Sequence, residues 1–235
     1  MYKEGSITMI YAMSDLHGCY DKYIKMLDKI NFSDSDALYI LGDVVDRGDG
    51  GIKLLQDMCE RKNVIPLRGN HDYLACYLLK ALCFNADISF ADNITDKYNM
   101  WLYDGGAPTY DAFTALTPKE QNKIIAYLNT FLIYDEVYCG GNDFFLAHTV
   151  PEKKRMEQFD KLLWQEFITG EPEYKKEYFP DKYIVTGHTP TGFIDKAYKG
   201  RVYIKNNHIA IDCGAVFGNP LGCICLDTFE EFYTE

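Results

Sequence analysis

The chain has no uninterrupted apolar stretch near the roughly 18 residues that cross a bilayer. Its opening, Met1-Tyr2-Lys3-Glu4-Gly5, lacks the apolar core of a secretory leader. A cytoplasmic protein is therefore expected. Basic charge is scarce as well: 24 Lys and Arg stand against 35 Asp and Glu, for a formal net charge of -11. Nonspecific binding to nucleic acid or to an anionic membrane needs the opposite sign, so neither is an expected partner. Any hold on phosphate must be local, made by bound cations and a few arginines within a screening length of about 8 Å. The eight cysteines contain no Cys-x-x-Cys pair, which excludes the common zinc and dithiol motifs and predicts reduced thiols. Cys223 and Cys225, two apart in a strand-like run, point to one face. No repeat and no low-complexity linker divides the 235 residues, so one domain over 1–235 is expected, with 47% hydrophobic residues to build its core.

What is present has a regular beat. Apolar runs at Ile7–Met13, Ala37–Leu41 and Val64–Leu67 alternate with amphipathic stretches at Tyr20–Ile30 and Ile52–Arg61. That pattern predicts β-α-β-α-β with a parallel sheet. The three strands end at Asp15, Asp43 and Asn70, and open α/β sheets bind ligands at the carboxyl ends of their strands. Helices are predicted at Tyr73–Cys83, Lys97–Tyr103 and Lys119–Asn129, the last behind the start signal Thr117-Pro118, with a surface loop over Asn85–Asp96. Beyond Phe131 come shorter runs: Leu132–Tyr138, Phe144–Ala147, Tyr183–Thr186, Val202–Lys205, His208–Asp212 and Gly222–Leu226. They are expected to form a mostly antiparallel second sheet, giving an α/β two-sheet sandwich flanked by helices.

Four of the five histidines lie in short motifs at or within these runs: Asp15-Leu16-His17-Gly18, Gly69-Asn70-His71-Asp72, Ala147-His148-Thr149 and Gly187-His188-Thr189. Together with Gly42-Asp43-Val44-Val45-Asp46-Arg47-Gly48 they contain the inventory for two divalent ions roughly 3.5 to 4 Å apart: imidazoles, oxygens and a carboxylate between the charges. Asp15 and His17 can face one ion, Asp43 can bridge, Asn70 offers an uncommon amide oxygen, and His148 and His188 can complete the coordination of the second ion. Gly69 is expected to let the chain turn sharply. Read singly, these features have plainer meanings. Gly-Asn is a turn signal, Asp46 and Arg47 can pair on a surface turn, and Asp72 suits the first turn of a helix as a favourable charge. His208, with no motif around it, reads as an exposed strand residue. Asp212 can anchor the site through hydrogen bonds.

In this order the motifs resemble the calcineurin-like metallophosphoesterases, and among them the phosphoprotein-phosphatase branch that includes bacterial and phage serine/threonine phosphatases. Ser14-Asp15-Leu16-His17-Gly18, Gly42–Gly48 and Arg68-Gly69-Asn70-His71-Asp72 match that branch's three signatures, and His148 and His188 follow as its isolated histidines. The ending Ile211-Asp212-Cys213-Gly214-Ala215-Val216-Phe217-Gly218 is similar to the closing strand of bacterial members. The resemblance spans about residues 10 to 228. It implies a four-layer α/β/β/α sandwich with mixed sheets. Asp15, His17 and Asp43 would hold one ion, and Asp43, Asn70, His148 and His188 the other, the metals being manganese, iron or zinc. It further implies direct attack on phosphorus by a hydroxide bridging the ions, with Arg47 and Arg68 on the phosphate oxygens. His71, held by Asp46, would protonate the leaving group.

Two departures bear on substrate. The third signature ends in Asp72 where protein phosphatases carry Glu, a form shared with symmetrical dinucleoside tetraphosphate hydrolases. The phage-type Trp-x-Arg is Trp164-Gln165-Glu166 here, which removes an arginine expected on the phosphate and leaves Lys153, Lys154, Arg155 and Lys161 as substitutes. The stretch Pro151–Lys182 reads either as a substrate-facing insertion or as a solvated helix and loop. The leading expectation is hydrolysis of phosphoserine or phosphothreonine in proteins. The alternatives are cleavage of dinucleoside polyphosphates and, in another class, a silent protein that only binds a phosphorylated partner. Oligomeric state is not readable.

Overall fold

The beat of the first 70 residues folds as β1 (Ile10–Met13), α1 (Tyr20–Lys29), β2 (Ala37–Leu41), α2 (Gly51–Glu60) and β3 (Val64–Leu67). β1, β2 and β3 pair in parallel, Ile10 opposite Ala37 and Leu38 opposite Val64. The structure, a computed structural model, describes residues 9–84 and 94–235. Ile7 and Thr8 of the first apolar run, and residues 85–93 of the expected loop, lie outside the described residues.

Next come α3 (Asn70–Phe84), α4 (Ile94–Trp101), α5 (Ala107–Thr114) and α6 (Pro118–Asn129). α6 begins where the sequence signals it. The Thr117 side chain accepts from Glu120 N, and Glu120 Oε2 accepts from Thr117 N at 2.9 Å. Such a reciprocal cap is worth about 1 kcal/mol. α5 was not expected; Pro108 sits in the helix's first turn, where its missing N–H costs nothing. Ile94–Asp96, expected as loop, open α4.

The second half contributes β4 (Tyr134–Cys139), β5 (Asn142–Ala147), β6 (Lys182–Thr186), β7 (Tyr203–Lys205), β8 (His208–Ala210), β9 (Leu221–Cys225) and β10 (Glu231–Thr234). The short helices α7 (Lys153–Met156), α8 (Glu166–Thr169) and α9 (Thr191–Ile194) lie between them. One sheet runs β10-β9-β1-β2-β3 and the other β4-β5-β6-β8-β7. Two expectations are corrected. The second sheet is mixed, not mostly antiparallel, since β5-β6 and β6-β8 are parallel pairs. β9, expected in the second sheet, pairs antiparallel with β1 in the first, Ala12 opposite Ile224. An apolar run announces a strand, but its partner is chosen by packing far along the chain.

Strand alternation sorts the core into layers. Ile10, Ala12, Tyr39 and Leu41 face Phe144, Leu146, Val185 and Ile209 between the sheets. Tyr11, Met13, Leu38 and Ile40 face the helices, with Tyr23, Met26, Leu54, Leu79, Trp101 and Leu128. Phe145, Ala147 and Ile184 face outward under Val150, Met156, Phe167 and Tyr178. The order is thus helices, sheet, sheet, helices. A one-residue slip would turn each buried set to the wrong layer, and every such aliphatic side chain is worth about 1.5–3 kcal/mol when buried. The 151–182 stretch is not a solvated helix and loop in its apolar part: Met156, Phe167 and Tyr178 cover the second sheet. All eight cysteines are free thiols, and Cys223 and Cys225 both face the helix layer.

Candidate dinuclear metal centre

The carboxyl ends of β1, β2 and β3 in one sheet, and of β5 and β6 in the other, meet at one edge. Each is followed at once by a site residue. Backbone bonds lock these ends together: Asp15 N donates to Gly42 O (3.0 Å), His17 N to Asp43 O (2.9 Å) and Gly187 N to His148 O (2.9 Å). The turns are sharp. Asp15, His17, Asp43, Asp46, Arg47 and His188 all have left-handed φ between 39° and 71°. Asp and His tolerate this region better than most residues, but each instance still costs about 1 kcal/mol or more. That cost persists because neighbouring contacts over-determine the loops. Gly42 (φ 85°) lies where a Cβ would come within 2.6 Å of His148 Nδ1. Gly69 has no left-handed φ; glycine is needed there because a Cβ would strike Asp43 Oδ1.

The ligand atoms converge. Asp43 Oδ1 accepts from His71 N at 3.0 Å, which aims Oδ2 at His17 Nε2 (3.5 Å) and at His148 Nε2 (3.6 Å). The other ring nitrogens are fixed, with His17 Nδ1 on Val45 O (2.9 Å) and His148 Nδ1 on Leu41 O (2.7 Å). Donation to those carbonyls leaves both Nε2 lone pairs turned inward. His148 Nε2 also lies 3.0 Å from His188 Nδ1 and 3.1 Å from Asn70 Oδ1. Two triads with ligating atoms within 4.8 Å of one another result, His17-Asp43-His71 and Asp43-His148-His188, and they share Asp43.

This donor set fits divalent cations. Asp15, Asp43, Asp72 and Asp212 are all buried, 4% exposed or less, around lone pairs that face one another. Burial, then the neighbouring Asp212 and Asp43, pushes the Asp15 carboxyl well above its usual range. Burial and Asp43 push Asp212 up to about 7. Burial acts the same way on Asp43, but His148, His17, His71 and His188 outweigh it and hold that carboxyl well below its usual range. Burial lowers His17 to about 4, aided by Arg47 and His71, and lowers His188 to about 4, aided by His148, so both rings are held in the neutral, ligating form.

His71 is treated differently. Burial opposes its charge, yet the bond to Asp46 raises its pKa above the ordinary value. Asp46, completely buried, receives His71 Nδ1 (2.8 Å) and Trp101 Nε1 (2.8 Å) on Oδ2, and the Thr109 hydroxyl (2.8 Å) on Oδ1. Asp46 and Arg47 therefore do not pair on a surface turn. Arg47 places Nη1 2.6 Å from His17 Nε2 and Nη2 3.0 Å from His71 Nε2, its cation standing where positive charge is wanted beside the first triad.

Other expected residues fall less centrally. The structure groups His17 and Asp43 with His71 rather than with Asp15, whose Oδ2 accepts from His188 N at 2.9 Å. Arg68 is not brought to the cluster; its guanidinium donates to Asn129 O (3.3 Å). Asp72 does more than charge a helix end. Its carboxylate accepts from Asp43 N (2.8 Å), Val44 N (2.9 Å) and Gly69 N (3.0 Å), tying the second and third motifs together. Asp212 Oδ1 accepts from Gly214 N (2.8 Å). His208 is buried, not exposed, with Nε2 2.9 Å from Thr186 Oγ1. Glu166 is engaged by Arg155 through two bonds of 2.7 and 3.0 Å, which removes Arg155 as a substitute for the absent arginine. Residues that sequence reasoning missed are Trp101, Thr109 and Asp104, the last with Oδ2 3.8 Å from His71 Nε2. Scarcity was the one available signal, since Trp101 is one of two tryptophans.

Known proteins share this architecture. The crystal structure of a candidate diadenosine tetraphosphatase superposes with a TM-score of 0.68 at 16% identity, covering 98% of this chain and 94% of that one. A serine/threonine phosphatase of Saccharomyces cerevisiae gives 0.55 at 13% identity, over 96% and 75%. In sequence, an asymmetrical bis(5'-nucleosyl)-tetraphosphatase of a Geobacillus species is 25% identical, over 90% of this chain and 88% of its own length. A symmetrical one of Neisseria gonorrhoeae is 35% identical over 86 residues, which is 36% of this chain and 30% of that protein. The model of the calcineurin-like phosphoesterases matches residues 8–217, a span that begins just before β1 and takes in every residue of both triads, and the chain belongs to that family of metal-dependent phosphoester hydrolases.

Proposed function

We propose that this protein hydrolyses dinucleoside polyphosphates at a centre built by a single domain over residues 1–235. The observation that supports a hydrolytic dinuclear centre is Asp43 Oδ2 between two inward-facing imidazoles, 3.5 Å from His17 and 3.6 Å from His148. Asp15, His17 and Asp43 would hold one divalent ion, and Asp43, Asn70, His148 and His188 the other. When bound, the pair supplies Lewis acidity toward the phosphate and a water acidic enough to attack near neutral pH.

The chain's own groups do the rest. Arg47 reaches the first triad with forked donors suited to phosphate oxygens. Asp46 orients His71 through Nδ1, which turns Nε2 toward the centre to carry the proton that the departing oxygen needs. Trp101 and Thr109 fix Asp46 in turn. Asp72 keeps the loops that carry Asp43 and Asn70 in register.

The substrate reading is supported by the Geobacillus relative, which aligns over most of both chains, and by Glu166 with Arg155 bound to it where a phosphomonoesterase of the phage type would present an arginine. Protein phosphoserine or phosphothreonine hydrolysis is the second reading, favoured by the signature Asp46-Arg47-Gly48. Parallel assays in added manganese on diadenosine tetraphosphate and on a phosphoserine peptide test the choice. The nucleotide is expected to be preferred, and chromatography of its products separates ADP alone from AMP plus ATP. A preference for the peptide would refute the dinucleoside reading.

A further inference from the structure

Two partly exposed aromatic groups neighbour the centre, Phe217 through Arg47 and Tyr73 through its place on α3 beside Asn70. Phe217 is 61% exposed on the turn Ala215–Phe217. The turn is closed by Phe217 N donating to Gly214 O (3.0 Å) and fastened by Lys22 Nζ, which donates to Asn219 O (2.6 Å) and Ala215 O (3.3 Å). Arg47 Cζ lies 5.4 Å from the ring centroid, and the same guanidinium reaches His17 and His71. Tyr73 is 37% exposed and stands one helical turn from Asn70, so the two side chains share a face of α3. Its ring centroid is 4.8 Å from that of half-buried Trp164.

We propose that Phe217 and the Tyr73–Trp164 pair are nucleobase platforms, one on each flank of the centre, that take the two ends of a dinucleoside polyphosphate. This rests on the dinucleoside reading above. Its grounds are the pairing of charge with π-surface. On the first flank Arg47 touches both the triad and the Phe217 ring, so a phosphate held there has a stacking surface next to it. On the second flank the arginine expected near Trp164 is Glu166, and Arg155 is bonded to it, so the rings stand beside a charge pair that is already neutralised. A neutral planar group suits such a surface. Stacking accepts any base, because every base has a π-face.

The test compares kcat/KM on diadenosine tetraphosphate with kcat/KM on glycerol 2-phosphate, which has no ring. Phe217→Ala and Trp164→Ala are each expected to lower the ratio of the two about tenfold, within the range measured for loss of base stacking. Phe217→Tyr and Trp164→Phe keep a ring and are expected to hold the ratio near that of the unaltered protein. ADP, used as a binding probe, is expected to quench the emission of Trp164, and glycerol 2-phosphate is not. A ratio that holds in either alanine variant overturns that platform, as does emission unchanged by ADP for the second. Intact cleavage of glycerol 2-phosphate with none of diadenosine tetraphosphate in the unaltered protein instead overturns the dinucleoside reading, and the assignment of the platforms to its two ends with it.

Discussion

Replacing Asp46 by Asn isolates the proton-donor step. Asp46 is fully buried, and its two oxygens accept three bonds of 2.8 Å, from His71 Nδ1, Trp101 Nε1 and Thr109 Oγ1. An amide in the same place keeps its oxygen toward His71 and Trp101 and turns its NH2 toward Thr109. The Thr109 hydroxyl, which already accepts from Asp46 N at 2.9 Å, can accept this second donor but then loses its own acceptor. The fold should lose one charge-assisted bond, about 1.5–3 kcal/mol, and remain folded. The proposed metal ligands are untouched, so two ions per chain are expected to remain. The catalytic loss is larger and selective. Without the carboxylate His71 no longer has the partner that favours its protonated form, and general-acid help is worth roughly 100- to 10,000-fold. For glycerol 2-phosphate, whose alkoxide leaves poorly, kcat should fall about 100-fold. For p-nitrophenyl phosphate, whose phenolate leaves without a proton, the fall should be at most about tenfold. Steady-state kinetics on the two substrates, with metal content measured on the same preparations, decides it. Equal losses on both would refute the role assigned to the His71–Asp46 pair.

Three further outcomes are expected. Burial holds His208 down to about 3, below its unfolded value of 6.5, so between these pH values the unfolded chain binds the extra proton and stability falls as pH drops. Urea unfolding at pH 7 and pH 5 should show about 2 kcal/mol less acid loss in His208→Gln than in the unaltered protein; identical losses would contradict the buried neutral ring. Chelation of divalent ions should abolish turnover and, by removing stabilisation of about 3 kcal/mol or more, lower Tm by roughly 5–10 °C in calorimetry; an unchanged Tm would argue against a cage built from these buried carboxylates and imidazoles. Glu166→Arg breaks a half-exposed pair worth about 1 kcal/mol and restores the phage-type arginine, so KM for glycerol 2-phosphate should fall severalfold; no change would mean that this position does not face the phosphate.

The centre was largely legible because its residues follow strand ends directly. Asp15, His17, Asp43, Asn70, His148 and His188 each stand within a few residues of an apolar run, and parallel strands bring their carboxyl ends to one edge whatever the loops between them do. The second half of the chain was less legible. β9 reads as a strand, but nothing within Leu221–Cys225 says that it joins β1 instead of its sequence neighbours. Asp46 and His71 could be named, whereas Trp101 and Thr109, about 55 and 63 residues away from Asp46, come from α4, which was expected, and α5, which was not, and only packing brings either to that carboxylate.

The amino-acid sequence by itself determined the chemistry: which donors exist, that they number enough for two cations, and that a three-stranded parallel unit presents the first of them. Those properties depend on residue type and short-range periodicity, which are local. Only the tertiary structure decided that Arg47 and not Arg68 reaches the triads, that Asp72 fastens two loops, and that Arg155 is bound to Glu166 instead of standing free for phosphate. Long, flexible or twofold-accepting side chains can serve many partners, and the one they take is set by what packing brings within 3 Å of them.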